Sequence, residues 1–373
     1  MRERIRRIAG RLKRRQTANR VVFAGWTFVL LALFFWRGYP AVTAALLFTL
    51  AYAAAAFVFV LAGGTDLRIS LSGGDMIEKG GTMGIRVRIE NRGRLPVFLC
   101  CGRVSALNRL TGESRQLPLR LSAGPGGSAE QVFDLTDEYC GRIDTRIREL
   151  SIRDPLELFS AKRNSAGRTT GYIAPQISMA GIPDSWLDSY NMESYQYSQY
   201  EKGSDPGEVF GVREYQEGDS LKQIHWKLSA KLGNVTVKIP SFPVENNILI
   251  ILDNLLEPDT DLTPAQKSRL MEEFYSLSAA LLEREIPHSL GWFDGEDQAF
   301  LLRRVRSTEE MWATVPEALG CGFSPSQVST VYRYLESWDA GRFSNHFLVT
   351  GQEGRDTERL ESRGAVKVFR TTE

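Results

Sequence analysis

The stretch "GVREYQEGDSLKQIHWKLSAKLG", Gly211 to Gly233, crowds guanidinium, carboxylate, ammonium, imidazole and indole groups into one short segment. Arg213 with Glu214 or Asp219 can form a bidentate ion pair that pins a turn. His225 is the residue type that exchanges protons near neutral pH. The chain holds three histidines, His225, His288 and His346. Cys321 with His346 would have thiol–imidazole composition, although neither stands in a local motif of a cysteine hydrolase. The sequence contains no G-x-x-x-x-G-K-S/T phosphate loop, which argues against ATP hydrolysis by this chain. Two readings follow. One is a non-enzymatic adaptor or scaffold with no catalytic residues, metal or cofactor; the alternative is a peptidase-like hydrolase using His225 or the pair Cys321 and His346.

The elements that position these groups can be read from the same residues. "GVREY" reads as a short strand and "QEGD" as a turn, and Asp219 is placed to cap a helix running from Ser220 to about Lys231. On that helix Leu221, Ile224, His225, Leu228 and Leu232 share a face, with Lys222, Lys227 and Lys231 mostly elsewhere. The apolar face and Trp226 are expected to be buried against a domain. That favours an interdomain clamp over a docking surface, which the same mixture of Arg, Tyr and Trp would also suit. The polar, Tyr-rich segment from Gly181 to Val244 reads as a connector laid across neighbouring domains.

Nine basic residues face only Glu3 in the first twenty positions, and the chain as a whole is nearly neutral, so the remainder is mildly acidic. Such a body is a poor match for nucleic acid, which needs clustered Lys and Arg on the folded surface. Two apolar runs, Val21 to Trp36 and Ala41 to Ala62, follow the basic tail, separated by Arg37-Gly38-Tyr39-Pro40. They read as a hairpin through a bilayer, with tail and later modules on the cytoplasmic side of the cell membrane. No small-residue cleavage site follows Phe34-Phe35-Trp36, which argues against a secretory signal. Ile5, Ile8 and Leu12 at helical spacing leave two readings of the tail, an interfacial helix or a disordered topology signal. Cys100, Cys101, Cys140 and Cys321 lack metal-ligand spacing and read as buried or inert thiols in a reducing compartment.

"IRVRIEN", Ile85 to Asn91, alternates apolar and charged residues, the signature of a strand with one wet side. Similar runs recur to about Ala174 and predict a β-sandwich. From Asn247 the pattern changes to a buried strand, "NILIILD", then an amphipathic helix with Leu270, Phe274, Leu277, Leu281 and Leu282 in one stripe, then further strands and helices. This alternation predicts a doubly wound α/β domain. The expected organisation is a basic tail (1–20), a transmembrane hairpin (21–62), a sandwich (64–175), a connector carrying the quoted stretch (176–243) and an α/β domain (244–373).

Arg213-Glu214-Tyr215, Gly218-Asp219, Lys222, Ile224-His225-Trp226 and Ser229-Ala230-Lys231 resemble the signature of the bacterial family called domain of unknown function fifty-eight. The likeness extends to Cys140-Gly141-Arg142-Ile143 and Asp154-Pro155-Leu156-Glu157-Leu158-Phe159, which resemble the segments that end the sandwich in that family. The resemblance implies a membrane hairpin, an immunoglobulin-like sandwich and a von Willebrand factor A-like domain. It also implies a MoxR-type AAA+ ATPase as partner beside the lipid bilayer. Many A-type domains hold a divalent metal on a D-x-S-x-S loop. The corresponding Asp253-Asn254-Leu255-Leu256-Glu257 has leucine and glutamate in place of the serines, so no metal is expected there.

Overall fold

A computed structural model of the chain describes residues 2–63, 65–164, 167–178, 196–216, 220, 224–244, 248–337 and 343–370. The first element, α1 (Arg2–Arg37), turns at Gly38 into α2 (Pro40–Ala62), whose first position suits proline because that N–H has no helical partner. The stretches Gln16–Arg37 and Pro40–Ala62 are long and apolar enough to cross a membrane. Phe28, Phe35, Trp36 and Phe48 point outward and are largely exposed, an arrangement that water penalises and lipid does not. The basic tail continues α1 as one helix without a break.

Two sheets enclose the second core. One has the order β1 (Leu67–Ser72), β3 (Thr82–Asn91), β6 (Ser128–Thr136), all antiparallel. The other has the order β2 (Met76–Ile77), β9 (Arg168–Ile173), β7 (Gly141–Arg153), β4 (Val97–Asn108), β5 (Ser114–Ala123), with β8 (Ser160–Lys162) also on β7. Alternation decides the packing: Ile85, Val87 and Ile89 are fully buried and meet Cys100, Val104, Ile143 and Ile173 of the facing sheet, while Arg86 and Arg88 face water. Burial pushes the Cys100 thiol up to about 12.

A two-stranded ribbon follows, β10 (Gln196–Glu214) antiparallel to β11 (Thr236–Val244), with the short α3 (Trp226–Leu232) between them. Part of the segment read as a connecting loop is therefore regular structure, because β10 and β11 satisfy each other's backbone groups.

The last module centres on β12 (Ile248–Leu252), whose five residues are all buried. After a two-residue strand, β13 (Leu255–Leu256), come α4 (Pro264–Glu283), β14 (His288–Asp294), β15 (Ala299–Val305) and α5 (Thr308–Cys321). Next are β16 (Ser324–Pro325), which pairs with β13, then α6 (Thr330–Leu335), β17 (Asn345–Thr350), α7 (Thr357–Glu361) and β18 (Ala365–Arg370). The main sheet runs β15-β14-β12-β17-β18, parallel except for β15. Thr263 caps α4 in a reciprocal box with Gln266. On one face α4 and α5 bury Leu270, Phe274, Leu281, Met311 and Val315 on the sheet; on the other Val331, Tyr334 and Leu360 cover Leu249, Ile251 and Leu348. Ser324-Pro325 pairs with β13 as a short strand, and Ser329 caps α6.

The sandwich and this module touch directly along α4. Leu110 and Cys140 belong to the core beneath α4 and α5. The Cys140 N–H donates to Ser268 Oγ at 3.1 Å, Lys79 Nζ lies 2.7 Å from Glu272 Oε1, and Ser178 N donates to Ser276 Oγ at 3.0 Å. Gly141 fits because a Cβ there would sit 2.2 Å from Asn108 Oδ1, and its φ is +151°.

His288 on β14 and His346 on β17 are buried on opposite faces of the sheet, and burial lowers both imidazoles to about 4. His288 Nδ1 faces the Ile286 carbonyl at 3.0 Å, so it carries the proton and Nε2 accepts from Ser278 Oγ at 2.7 Å. Both are held neutral, so their contribution is complete above the unfolded value of about 6.5 and is lost as the pH falls toward about 4. The unfolding midpoint of the detergent-solubilised chain, followed by tryptophan fluorescence, should drop across that window by an amount equivalent to about 3 kcal/mol per histidine. His288→Gln should roughly halve the drop, leaving the His346 share, and a flat wild-type profile would refute the argument. Phe274→Ala, opening a cavity against Tyr275 and Trp292, should cost about 3–5 kcal/mol in the same assay.

Candidate functional site

The segment that carried the signature folds around one buried residue, Val237. Its register partner on β10 is Arg213, and Ile224 bridges it from the other side. Ile224 is buried, as its apolar type demands, but it precedes the helix rather than lying within it.

The helix starts at Trp226, not Ser220, and His225 is its cap: Nδ1 accepts the Leu228 N–H at 3.3 Å, while the His225 N–H donates to the Thr236 carbonyl at 2.8 Å. His225 therefore does the work expected of Asp219. Gly218, Asp219 and Lys222 lie outside the described residues. Ser229 explains the hydroxyl in the Ser-Ala-Lys motif: its Oγ donates to the His225 carbonyl at 3.0 Å and accepts the Thr236 N–H at 2.9 Å, tying helix to ribbon. Gly233 ends the helix at φ +73°, a left-handed position that glycine takes without a Cβ penalty.

Arg213 Nη1 donates to the Glu214 carbonyl at 3.1 Å, and the Glu214 carboxylate accepts from Asn234 Nδ2 at 3.2 Å. Tyr215 is tied through its N–H to the Val235 carbonyl at 2.9 Å.

Trp226 overturns the expectation of burial: it is 67 % exposed. The premise that favoured a clamp fails with it, and the contacts along α4 join the sandwich to the α/β module without it. Tyr215, Val212 and Val235 are also exposed. Lys227, Lys231 and Lys238 are exposed on the same segment. Sequence reasoning missed Val212 and Val235. The signal was present in "NVTVK", where Val235 and Val237 flank Thr236 and cannot both be read as surface or core until the pairing partner is known.

The structure separates the hydrolase candidates. Cys321 packs with the α4–α5 face of the sheet. His346 stacks with Tyr334, its Nε2 3.2 Å from the phenol oxygen, on the α6–α7 face. Cys321 and His346 therefore lie on opposite faces. Burial first, and the Asp294 charge next, push the Cys321 thiol up to about 12, the reverse of what a nucleophilic thiolate requires.

Asp253 sits buried at the end of β12. Its Oδ2 accepts from Thr350 Oγ1 at 2.8 Å and Gln352 Nε2 at 2.9 Å; burial raises this carboxyl against those two bonds, which lower it. Arg355 brings a positive charge to the same loops, donating to the Leu255 carbonyl at 2.7 Å and the Ser326 carbonyl at 3.1 Å. A divalent ion needs several oxygen ligands and no competing cation, so these residues do not fit a metal. Among the described residues no group of three or more His, Cys, Asp or Glu side chains is placed to hold one.

The family described as protein of unknown function DUF58 matches residues 211–287, the segment from β10 into α4 and beyond it. No curated protein matches the chain. Among solved structures, the CARDB domain of the PF1109 protein from Pyrococcus furiosus, in complex with di-metal ions, is 20 % identical, with 29 % of this chain and 86 % of that one covered and a TM-score of 0.22. A β-glucosidase from Listeria innocua in complex with glucose is 10 % identical over 29 % of this chain and 16 % of that one, with a TM-score of 0.21. The alkylpurine DNA glycosylase AlkC of Pseudomonas fluorescens, bound to DNA containing an abasic site analogue, is 12 % identical over 39 % and 43 %, with a TM-score of 0.21. At such scores none of them bears on how this chain works.

Replacing His225 by Ala removes the α3 cap and should lower the unfolding free energy of the ribbon by about 0.5–2 kcal/mol. His225→Asn should recover most of it. Hydrogen exchange at Leu228 reads the effect, and unchanged protection in the alanine variant would contradict the capping role.

Proposed function

We propose that this chain, whose residues 211–287 match the DUF58 family, is a membrane-anchored, non-catalytic adaptor that presents its signature ribbon to a MoxR-type AAA+ ATPase. Protein maturation or envelope-related assembly is the setting this implies. The observation that carries the proposal is the exposed Trp226, standing with Tyr215, Val212 and Val235 among Lys227, Lys231 and Lys238. An indole held in water on a capped helix costs solvation and is the kind of residue that anchors interfaces when covered. The basic rim selects an acidic partner surface and speeds its encounter.

In the same reading the two apolar helices cross the cell membrane. The nine basic residues near the start hold the tail in the cytoplasm, so the hairpin returns the sandwich and the α/β module there. The order β15-β14-β12-β17-β18, with only its β15 edge antiparallel, supports a von Willebrand factor A-like assignment, and the two-sheet core supports an immunoglobulin-like one. The A-type module would then act as a platform without a metal.

Binding between the full-length protein in nanodiscs and a purified MoxR-type ATPase of the same organism tests the reading. Trp226→Ala should weaken capture by about tenfold or more, corresponding to at least ~1.4 kcal/mol. Lys231→Glu should slow association in a salt-dependent way, and neither change should move the melting temperature. Undiminished binding by Trp226→Ala would refute the docking role, and a reporter placing the carboxyl terminus outside the cytoplasm would refute the partnership.

A further inference from the structure

A groove of about 810 Å³ runs between α1, α2 and the loop after β7. Val22, Phe23 and Trp26 line it from α1, Ala45 and Phe48 from α2, and Leu156 from the loop, with the Asn19 amide at one end. The volume falls within the ~300–1,000 Å³ range of small-ligand sites.

We propose that this groove seats an acyl chain of an anionic phospholipid drawn from the leaflet on the sandwich side. The inference rests on the membrane-anchored reading above. Its occupant follows from depth, closure and charge. Asn19 to Trp26 on one helix and Ala45 to Tyr52 on the other are staggered, with Phe23 beside Tyr52, so the groove extends over about 16 Å at 1.5 Å per residue, about half of a hydrocarbon core of about 30 Å. A spanning partner helix, about 10–12 Å across, would need a seam along the whole bilayer; this one serves a single leaflet.

The groove ends where the Asp154–Phe159 loop crosses it. That wall is fixed: Asn19 Nδ2 donates to the Leu156 carbonyl at 2.9 Å and Arg20 Nε to the Leu158 carbonyl at 2.7 Å. Buried Asp154 accepts from the Phe159 N–H at 2.7 Å, the Leu156 N–H at 3.1 Å and Tyr52 Oη at 3.3 Å. A chain seated there meets a preformed slot rather than one it must open. Beyond the wall Arg20 is exposed, and Lys13, Arg14 and Arg15 precede it in the sequence of α1, a run of cations that favours an anionic headgroup.

The test uses the full chain purified from membranes in mild detergent. Native mass spectrometry should find one retained phospholipid per chain, enriched in phosphatidylglycerol over phosphatidylethanolamine, and Ala45→Trp, which fills the groove, should reduce retention roughly tenfold. Equal retention by the variant would mean annular lipid only and overturn the proposal. So would a dimer in place of the lipid, because a second copy's helix would then be the occupant. Should Ala45→Trp fail to fold, the wild-type sequence still decides: in vesicles of brominated phosphatidylglycerol, Trp26→Phe should remove more of the quenched signal than Trp36→Phe, and equal losses would overturn the proposal. Alkaline carbonate extraction keeps the two readings apart. Release from membranes would refute the anchoring and this inference together, whereas a chain that stays embedded without a bound lipid refutes the inference alone.

Discussion

Asp154 is a carboxylate without exposed surface at the place where the apolar hairpin meets the sandwich. A buried charge of this kind is tolerated only when its oxygens are occupied, and here two backbone N–H groups of its own loop and the Tyr52 hydroxyl occupy them. The same bonds fix the loop, and the loop in turn receives Asn19 and Arg20 from α1. Phe159 stacks edge-on against Phe57 of α2, and Arg163 reaches the Leu61 carbonyl at the end of that helix. Both helices are thus tied to one sandwich strand end, and the hairpin cannot rotate about the short link from Ala62 to Leu67 without breaking that set.

A second junction has a different chemistry. α4 covers one face of the α/β sheet with its apolar stripe and turns the small hydroxyl side chains Ser268 and Ser276 toward the sandwich. Small residues let the backbones approach, and the hydroxyls satisfy the Cys140 and Ser178 N–H groups that this approach would otherwise strand. A helix that serves two cores at once makes the sandwich and the α/β module a single body, leaving the ribbon with α3 as the part whose surface residues are not committed to either core.

Much of the architecture was legible because it follows from period alone. Ile85, Val87 and Ile89 face inward for the reason that they alternate with Arg and Glu, and the unbroken "NILIIL" run reads as a strand covered on both sides. The stripe of Leu270, Phe274, Leu277 and Leu281 was equally plain as the buried side of α4. What resisted reading were positions whose role depends on a partner far along the chain. Ile224 fits a helical stripe by spacing, yet it is the bridge to Val237 that decides its burial. His225 looked like a titrating or packed imidazole and is a cap, because Thr236 draws its N–H away and leaves the ring over the first turn. Trp226 looked buried by type, and only the local geometry puts it in water. The family likeness singled out a segment that the family model also matches, without distinguishing the residues that build it, such as Ser229, from those it displays.

The strand that ends the α/β sheet, β18, is only six residues long and carries Lys367 and Arg370, with Val368 the exposed apolar residue between them. A neighbouring molecule adding a strand beyond it would have to bring those cations against its own backbone and shed their water. The arrangement disfavours edge-to-edge pairing, so copies of the chain can crowd together without their sheets zipping into one.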